Sequence, residues 1–177
     1  TGTITFNAAV GGTNVIGDGI GAALTISSGA TTFNSTLGTG SGITSDANVT
    51  FKDAVTIAAG NTASTLNANT TFNKAGGLTF TSGGDVTFGD AGSDQVTLSG
   101  PTTITTAAAN TNQVYNAKVD GSQDLTLAAG TGTITFNAAV GGTNVIGDFF
   151  VNAPTITRVE TPSLPAVLPI SGITSDA

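Results

Sequence analysis

The chain has no cysteine, histidine, methionine or tryptophan, and it has a single tyrosine. Without histidine and cysteine it lacks the commonest general base, the thiol nucleophile and the usual zinc ligands. A paired-carboxylate glycosidase would have to use scattered turn aspartates such as Asp85, Asp90 and Asp94, with no basic residue close by. We therefore expect that the chain is not an enzyme. The absence of cysteine fits a reducing compartment and equally a bacterial surface protein that avoids disulfides.

Charged residues are also scarce, at 8% of the chain, and only four are lysine or arginine against eleven acidic residues. A net charge of −7 leaves no basic stripe to replace phosphate counterions. This argues against nucleic acid and against anionic membrane surfaces as partners. No apolar run approaches the ~18 residues needed to span a bilayer, so membrane insertion is not expected. The sequence begins within a repeat and without methionine, so the lack of a signal peptide says nothing about the parent protein.

The chain does contain 25 glycines and an apolar fraction of 38%, which is enough to close a core. Its most informative feature is a perfect repeat: TGTITFNAAVGGTNVIGD occurs at residues 1–18 (copy 1) and again at 131–148 (copy 2). The heptapeptide SGITSDA also occurs twice, at 41–47 and 171–177, and its two copies have the same offset as the longer pair. Two matches in one register predict a segment of a long repetitive array, and such arrays mostly build length and surface.

A shorter cadence runs inside the long repeat, in which Thr-Phe follows an apolar or threonine residue, as in TITF, NVTF and DVTF. Strand alternation places each phenylalanine and the residue two positions before it on one face, with the intervening threonine on the other. We therefore expect these pairs to point inward: Ile4 with Phe6, Val49 with Phe51, Leu78 with Phe80, Val86 with Phe88, and Ile134 with Phe136.

The cadence predicts an all-β chain, because no window shows a helical period and β-branched residues dominate the apolar runs. Cutting at the turns gives segments of roughly 17 to 23 residues, about six in each repeat unit. Coils of about 20 residues favour a right-handed parallel β-helix, and a β-sandwich array with Greek-key connections is the alternative. Stacked coils would align the asparagines that follow phenylalanine into a turn-lining ladder: Asn7, Asn34, Asn73 and Asn137.

One stretch breaks the cadence. Residues 149–170, FFVNAPTITRVETPSLPAVLPI, hold four of the five prolines, the only arginine and the only glutamate. Proline cannot donate to a strand ladder, so we expect an extruded loop, a linker or a strand that pairs elsewhere. The predicted organisation is a β-helical shaft over 1–148, an irregular Pro-rich segment over 149–170, and resumption of the repeat over 171–177. Within the variable segment the candidate partner contacts are Phe149, Phe150, Arg158 and Glu160.

Three strings resemble the repeats of giant filamentous-haemagglutinin-like bacterial surface adhesins: TLAAGTGTITFNAAVGGT, SDANVTFKDAVTIAAG and TTFNSTLGT. The resemblance covers nearly the whole chain except about 149–170. It implies a right-handed parallel β-helix that is secreted to the outer surface of a Gram-negative cell. It also implies a role in attachment, aggregation or matrix building. The shaft repeats of that family share no catalytic or ligand motif, so the resemblance transfers no binding residues to this chain.

A calcium site is the sharpest alternative chemistry. GDAGSDQVT at residues 89–97 partly matches the calcium-binding nonapeptide G-G-x-G-x-D-x-U-x, with Asp90 in place of the second glycine and Asp94 as the matching aspartate. Such sites take oxygen ligands from successive copies, and this motif is not repeated in tandem. DGSQD at 120–124 is a second acidic turn. We expect ordinary Asx turns and no cofactor, with Asp90 and Asp94 as weak calcium candidates.

The expected function is a structural and adhesive repeat segment of a large cell-surface or extracellular fibre protein. Its expected partners are a host, matrix or neighbouring-cell surface, and other copies of itself. Self-association would proceed by head-to-tail stacking of unpaired strand edges or by addition of a strand from 149–170 to a neighbour. The alternative is a carbohydrate-binding or carbohydrate-active β-helix, for which one tyrosine and no tryptophan offer little aromatic platform.

Overall fold

The computed structural model describes residues 2–18, 20–27, 29–58, 62–106 and 110–158. Within them the chain winds through three sheets in turn, and every strand pairs in parallel with the equivalent strand of the next coil. The predicted parallel β-helix is therefore confirmed. The β-sandwich alternative is wrong, because a sandwich of Greek-key connections requires antiparallel pairing.

Over the described ranges the three sheets contain nineteen strands, most of them three residues long. Sheet A consists of β1 (Ile4–Phe6), β3 (Thr31–Phe33), β6 (Val49–Phe51), β9 (Thr70–Phe72), β12 (Gln95–Leu98) and β15 (Lys118–Asp120). Sheet B consists of β4 (Leu37–Thr39), β7 (Val55–Ile57), β10 (Leu78–Ser82), β13 (Thr102–Thr106), β16 (Leu125–Ala128) and β18 (Phe149–Asn152). Sheet C consists of β2 (Leu24–Ile26), β5 (Ile43–Ser45), β8 (Ser64–Leu66), β11 (Val86–Phe88), β14 (Gln113–Tyr115), β17 (Thr133–Phe136) and β19 (Thr155–Arg158).

The strands alternate as the sequence predicted, with a half-exposed threonine between two inward residues. β6 and β11 are buried at both ends and half-buried in the middle, and Phe51, Phe80 and Phe88 have no exposed surface. The inward pairs are confirmed in four of the five motifs, and the first motif differs. Ile4 is 46% exposed because β1 pairs with β3 alone and its other edge contacts no described strand.

The interior contains a continuous column of aromatic rings. Rings stack in parallel along sheet A from Phe6 to Phe72, with centroids 4.9 to 5.9 Å apart. The column then passes through Phe80 of sheet B to Phe88 of sheet C by edge-to-face contacts. It continues along sheet C and ends in an edge-to-face contact with sheet B, through these rings: Phe88, Tyr115, Phe136 and Phe149. Because ring pairs add stability beyond area burial, the column ties each coil to the next.

Coil length varies more than the turn spacing suggested. The coil from Ile4 to its partner Thr31 is half as long again as the next coil, which runs from Thr31 to its partner Val49. The longer coils keep strands of similar length and place their additional residues in the corners, as at 89–94. Constant strands with variable corners keep the core in register while the surface is free to change.

The corners are held by side chains that bond to the next coil, but the predicted asparagine ladder is divided between two corners. Asn34 Nδ2 donates to Asn7 Oδ1 at 2.7 Å on the corner that follows sheet A. Asn137 lies on the corner that follows sheet C, where its Nδ2 donates to Asn116 Oδ1 at 2.7 Å. Asn73 follows β9 and so lies on the first of these corners.

The two copies of the long repeat lie on different sheets. In copy 1, β1 belongs to sheet A and Val10 then bridges Leu37 of sheet B. In copy 2, β17 belongs to sheet C and Val140 bridges Val119 of sheet A. The same amino acids are therefore displaced by one sheet around the coil, a difference that the sequence alone did not predict.

The displacement is cancelled shortly after each copy. Residues 24–26 and 155–158, which follow copies 1 and 2 respectively, both form strands of sheet C. Ile134 pairs directly with Ile156, so this stretch closes a whole coil. The counterparts of these two residues are Ile4 in copy 1 and Ile26 after it. They lie on sheets A and C, so the chain between them spans only part of a coil.

The stretch that follows copy 2 contains a strand, β18, for which the described residues after copy 1 have no counterpart. β18 begins the segment that was expected to be irregular. β18 pairs with β16 and β19 pairs with β17, both in parallel, so residues 149–158 continue the solenoid. The only proline among these residues, Pro154, lies between the two strands, where no ladder hydrogen bond is needed. The predictions for 159–170, Glu160 and 171–177 concern residues outside the described part of the chain.

Candidate functional surface

The most exposed shared feature of the two copies is a short loop, Gly12–Val15 in copy 1 and Gly142–Val145 in copy 2, which we call the repeat loops. Every residue of both loops is exposed, and the valines at their ends are 46% and 50% exposed. The glycine that precedes each loop has a positive φ, 66° at Gly11 and 69° at Gly141. The shared sequence thus fixes the same local turn in two different settings.

The repeat loops are anchored differently. In copy 2 the buried carboxylate of Asp120 accepts hydrogen bonds from the backbone N–H of Asn144 at 2.6 Å and of Gly121 at 3.0 Å. In copy 1 the bridges of Val10 and Ile16 to β4 hold the loop at both ends. Backbone pairing therefore holds the ends of both loops, and the loop of copy 2 has an additional anchor in the Asp120 side chain of the preceding coil.

An open recess of about 310 Å³ lies beside the repeat loop of copy 1. It is lined by Gly11, Gly12, Val15 and the β4 region around Gly38. Gly38 is required here because a Cβ at this position would lie 2.4 Å from the carbonyl oxygen of Gly11. The recess carries no charged side chain among its lining residues, and it offers apolar contact together with the side chains of Thr36 and Thr56.

The corner between sheets C and A forms a ridge of asparagine and aspartate. Asn67 Nδ2 donates to Asp46 Oδ1 at 2.8 Å, and the N–H of Gln95 donates to Asn69 Oδ1 at 2.8 Å. The N–H of residue 69 in turn donates to Asn48 Oδ1 at 3.2 Å. These oxygens are satisfied by the neighbouring coil, so the ridge mainly stabilises coil stacking.

Asp90 and Asp94, the calcium candidates, lie on this ridge. Asp94 Oδ2 accepts the N–H of Asp90 at 3.1 Å and that of Ala91 at 2.9 Å, so Asp94 closes the turn onto residues before it, whereas the expected Asx turn would bond to a residue after it. Asp90 itself is exposed. Within the described residues no group of three or more histidine, cysteine, aspartate or glutamate side chains is placed to hold a metal ion.

The other acidic turns serve neighbouring coils. Asp85 Oδ1 accepts the N–H of Asn112 at 2.7 Å, and Asp124 Oδ1 accepts the N–H of Asp148 at 2.9 Å. Asp85 precedes β11, whereas Asp90 and Asp94 follow it, so a whole strand separates Asp85 from the other two carboxylates considered for acid–base chemistry. These aspartates are explained as corner residues that bond to the adjacent coil.

The candidate contact residues at the start of the variable segment are divided between the interior and the surface. Phe149 points inward, is 7% exposed and packs against the Phe136 ring. Phe150 is half-buried and lies in register with the outward Thr126 of sheet B, so it is the phenylalanine available to a partner. Arg158 is half-buried and lies in register with Phe136, at the end of the inward column of sheet C.

A buried polar pair that the sequence did not predict, Gln113 and Tyr115, lies beside copy 2. Gln113 has no exposed surface, and its Nε2 donates to the carbonyl oxygens of Ile104 at 3.2 Å and Ala128 at 2.9 Å. The Tyr115 hydroxyl donates to Gln113 Oε1 at 2.9 Å, and complete burial raises the pKa of that hydroxyl well above its ordinary value. The signal was present, because the cadence itself places the residue two positions before an aromatic on the inward face.

No protein-family model matches the chain, and neither a curated protein nor a solved structure matches it significantly. The described part of the chain contains no helix that is long and apolar enough to cross a membrane. Function must therefore be argued from the solenoid and its surface.

Proposed function

We propose that this chain is a structural and adhesive repeat segment of a large extracellular or cell-surface fibre protein of a bacterium, of the filamentous-haemagglutinin-like type. Its role would be attachment, aggregation or matrix assembly rather than catalysis, and it would need no cofactor. The observation that carries the proposal is the unbroken stacking of coils around one aromatic column.

Stacking of this kind supports a stem function. Each coil buries its apolar side chains only against its two neighbours, so coils can be added without a change of fold. The column also continues where it changes sheets, through Phe80, which avoids a weak joint in the middle of the rod. A rod of this design places surface groups far from an attachment point and makes few demands on specific sequence.

The repeat loops support a display function. Along sheet A, copy 1 and Val140 of copy 2 are separated by six coil steps, or about 29 Å at about 4.7–4.9 Å for each step. Identical exposed loops that recur along a stiff rod, displaced by one sheet around it, suit multivalent contact, in which weak individual contacts add up. A surface that bears many equivalent sites, such as a matrix polymer or another cell, is the expected partner.

Bead attachment tests this proposal. Beads coated with the chain are compared with beads coated with an unrelated all-β protein, for attachment to bacterial cells, host cells and immobilised polysaccharides. We expect several-fold more attachment of the chain-coated beads, and a loss of the excess for a Val15→Ser, Val145→Ser variant. Thr103→Ser, an outward change on sheet B, is the matched control. Attachment no better than that of the unrelated protein on every surface would contradict an adhesive role.

The same assay separates the carbohydrate alternative. Binding to polysaccharide alone that is lost on Phe150→Ser but kept in the repeat-loop variant would favour a carbohydrate-binding β-helix, since Phe150 is the outward aromatic of β18. Release of reducing sugar, abolished by Asp90→Asn and Asp94→Asn, would favour a carbohydrate-active one. Labelling of intact producing cells with an antibody against the chain tests the proposed surface location.

A further inference from the structure

The edge that receives copy 2 is specific in its chemistry. β14 pairs with β17, so that Gln113 lies opposite Ile134 and Tyr115 opposite Phe136. Beyond β14, the preceding coil contributes Val119, Asp120 and Asp124, which bond to or bridge Val140, Asn144 and Asp148. We call this surface, formed by β14, Val119, Asp120 and Asp124, the acceptor edge.

Copy 2 is buried between the acceptor edge on one side and the following coil, which contains β18 and β19, on the other. Ile134 has no exposed surface there, Phe136 is 4% exposed and Ile146 is 3% exposed. The corresponding residues of copy 1 are Ile4, which is 46% exposed, and the half-buried Phe6 and Ile16. Residues 1–18 therefore carry every side chain that the acceptor edge recognises, while copy 1 leaves several of them partly exposed.

The sequence after copy 1 permits it to occupy the acceptor edge. Residues 24–26 form a strand of sheet C, as do residues 155–158 after copy 2. If copy 1 shifted by one sheet to adopt the arrangement of copy 2, β2 and all later strands would keep their present sheets. Residues 20–23, which would absorb the shift, form no strand that must first be broken.

Simple stacking of one chain on the last described coil is less favourable. Arg158 takes the register position that Phe136 holds in the coil before, so an added coil would bury a guanidinium in line with the aromatic column. Inward charges at an edge are a recognised protection against further strand addition. A second chain that exchanges onto the acceptor edge replaces both copy 2 and the following coil, which contains Arg158. The guanidinium of Arg158 is therefore not buried.

We propose that the acceptor edge also binds residues 1–18 of a second copy of this chain in place of its own residues 131–148, and so links one chain to another. Within one chain the resident copy competes at an effective concentration of about the millimolar range. Exchange is therefore suppressed in dilute solution and favoured where chains are crowded together. The proposed partner in fibre assembly is thus a second copy of the same chain. The biological purpose of the exchange rests on the proposed fibre role, but the binding itself does not.

The test weakens copy 2 without altering copy 1. In an Ile134→Asp, Phe136→Asp variant, the resident segment would have to bury two carboxylates and so leaves the acceptor edge. We expect the variant to form dimers and longer chains whose mass rises with concentration in light scattering, while the intact chain stays monomeric at the same concentration. Circular dichroism should keep its β signature, because the coils before β17 retain their contacts with one another when the damage is local.

A synthetic peptide of residues 1–18 gives a second measurement. It should bind the variant at one peptide for each chain, at least tenfold more tightly than it binds the intact chain, and return the variant to a monomer. A scrambled peptide is the control. A fourfold-substituted chain that also carries Ile4→Asp and Phe6→Asp should stay monomeric yet still bind the peptide.

Two results would overturn the proposal: a folded variant that remains monomeric and binds no peptide, or one that binds both peptides equally. If the two aspartates unfold the chain, Phe136→Ser replaces them with the same expectations and the same contrary outcomes. Neither result bears on bead attachment, so failure of the exchange and failure of the adhesive role can be told apart.

Discussion

Copies 1 and 2 are identical in sequence and form the same local turn, yet they differ in sheet, burial and anchoring. The glycines before their loops have φ values of 66° and 69°, and their loop valines are similarly exposed. Ile4 and Ile134, however, are 46% and 0% exposed. The sequence of this repeat therefore determines the turn before each loop. The neighbouring coil determines which sheet the copy joins, how deeply it is buried and the backbone after the loop, where Gly17 has a φ of 89° and Gly147 has no positive φ.

The largest expected difference between the copies concerns their phenylalanines. Phe136→Ala should lower the free energy of unfolding by about 3 kcal/mol, because it removes a buried ring that packs against Tyr115 and Phe149. Phe6→Ala should cost about 1 kcal/mol, since that residue is only half-buried. Urea denaturation of both variants measures the difference, and equal losses would show that the two settings are energetically alike.

Asp120→Ala should act on copy 2 alone. The substitution leaves the N–H groups of Asn144 and Gly121 without their acceptor, which should cost about 1–3 kcal/mol. Amide hydrogen exchange should accelerate in Gly142–Val145 and stay unchanged in Gly12–Val15. Equal acceleration in both repeat loops would contradict the difference in anchoring.

Substitution of the glycine before each repeat loop should destabilise copy 1 more than copy 2, which is the opposite order from the phenylalanine substitutions. Gly141→Ala introduces a side chain at positive φ with no atom closer than 3.4 Å, and should cost about 1 kcal/mol. Gly11→Ala adds a Cβ at 2.0 Å from the carbonyl oxygen of Gly38, so the strand must also shift and the loss should be larger. Hydrogen exchange of the Gly38 N–H, which donates to the Val10 carbonyl, reports this locally.

The smallest effect is expected at a site outside both copies, which serves as a baseline. The hydrogen bond from Lys74 lowers the pKa of Asp53, helped by the N–H of Ala54. The resulting stability is present above the ordinary pKa near 3.8 and is lost as the pH falls through the lowered folded value. Both side chains are partly exposed, so Asp53→Asn should change stability by less than about 0.5 kcal/mol at neutral pH and by nothing in strong acid. Urea denaturation at both pH values measures this.

Much of the fold was predictable because strand alternation acts locally. Val49 with Phe51 and Val86 with Phe88 point inward as the cadence required, and the parallel coils follow from their repetition. The sheet that each motif joins was not predictable. Because coil length varies along the chain, the same TITF string meets sheet A or sheet C, depending on how much chain the corners take up.

The candidate surface was predictable only in part, for a related reason. The sequence identified 149–170 as different but not that Phe149 and Val151 face the core, because that depends on β16 below them. The acidic turns were located correctly, but their bonding partners include backbone groups of the neighbouring coil, such as the N–H groups of Asn144 and Asp148. Spacing along the chain does not reveal such contacts until the coil length is known.

The return of both stretches to sheet C has a genetic consequence. Repeats invite unequal crossing-over where their coding DNA is also similar, and a recombination within the perfect repeat would join residue 148 of one gene copy to residue 19 of another. The product would gain one whole repeat unit, and residues 24–26 would enter the position that β19 holds now. Every later strand would keep its sheet, so we expect alleles of this protein to differ in length by whole repeats without loss of folding.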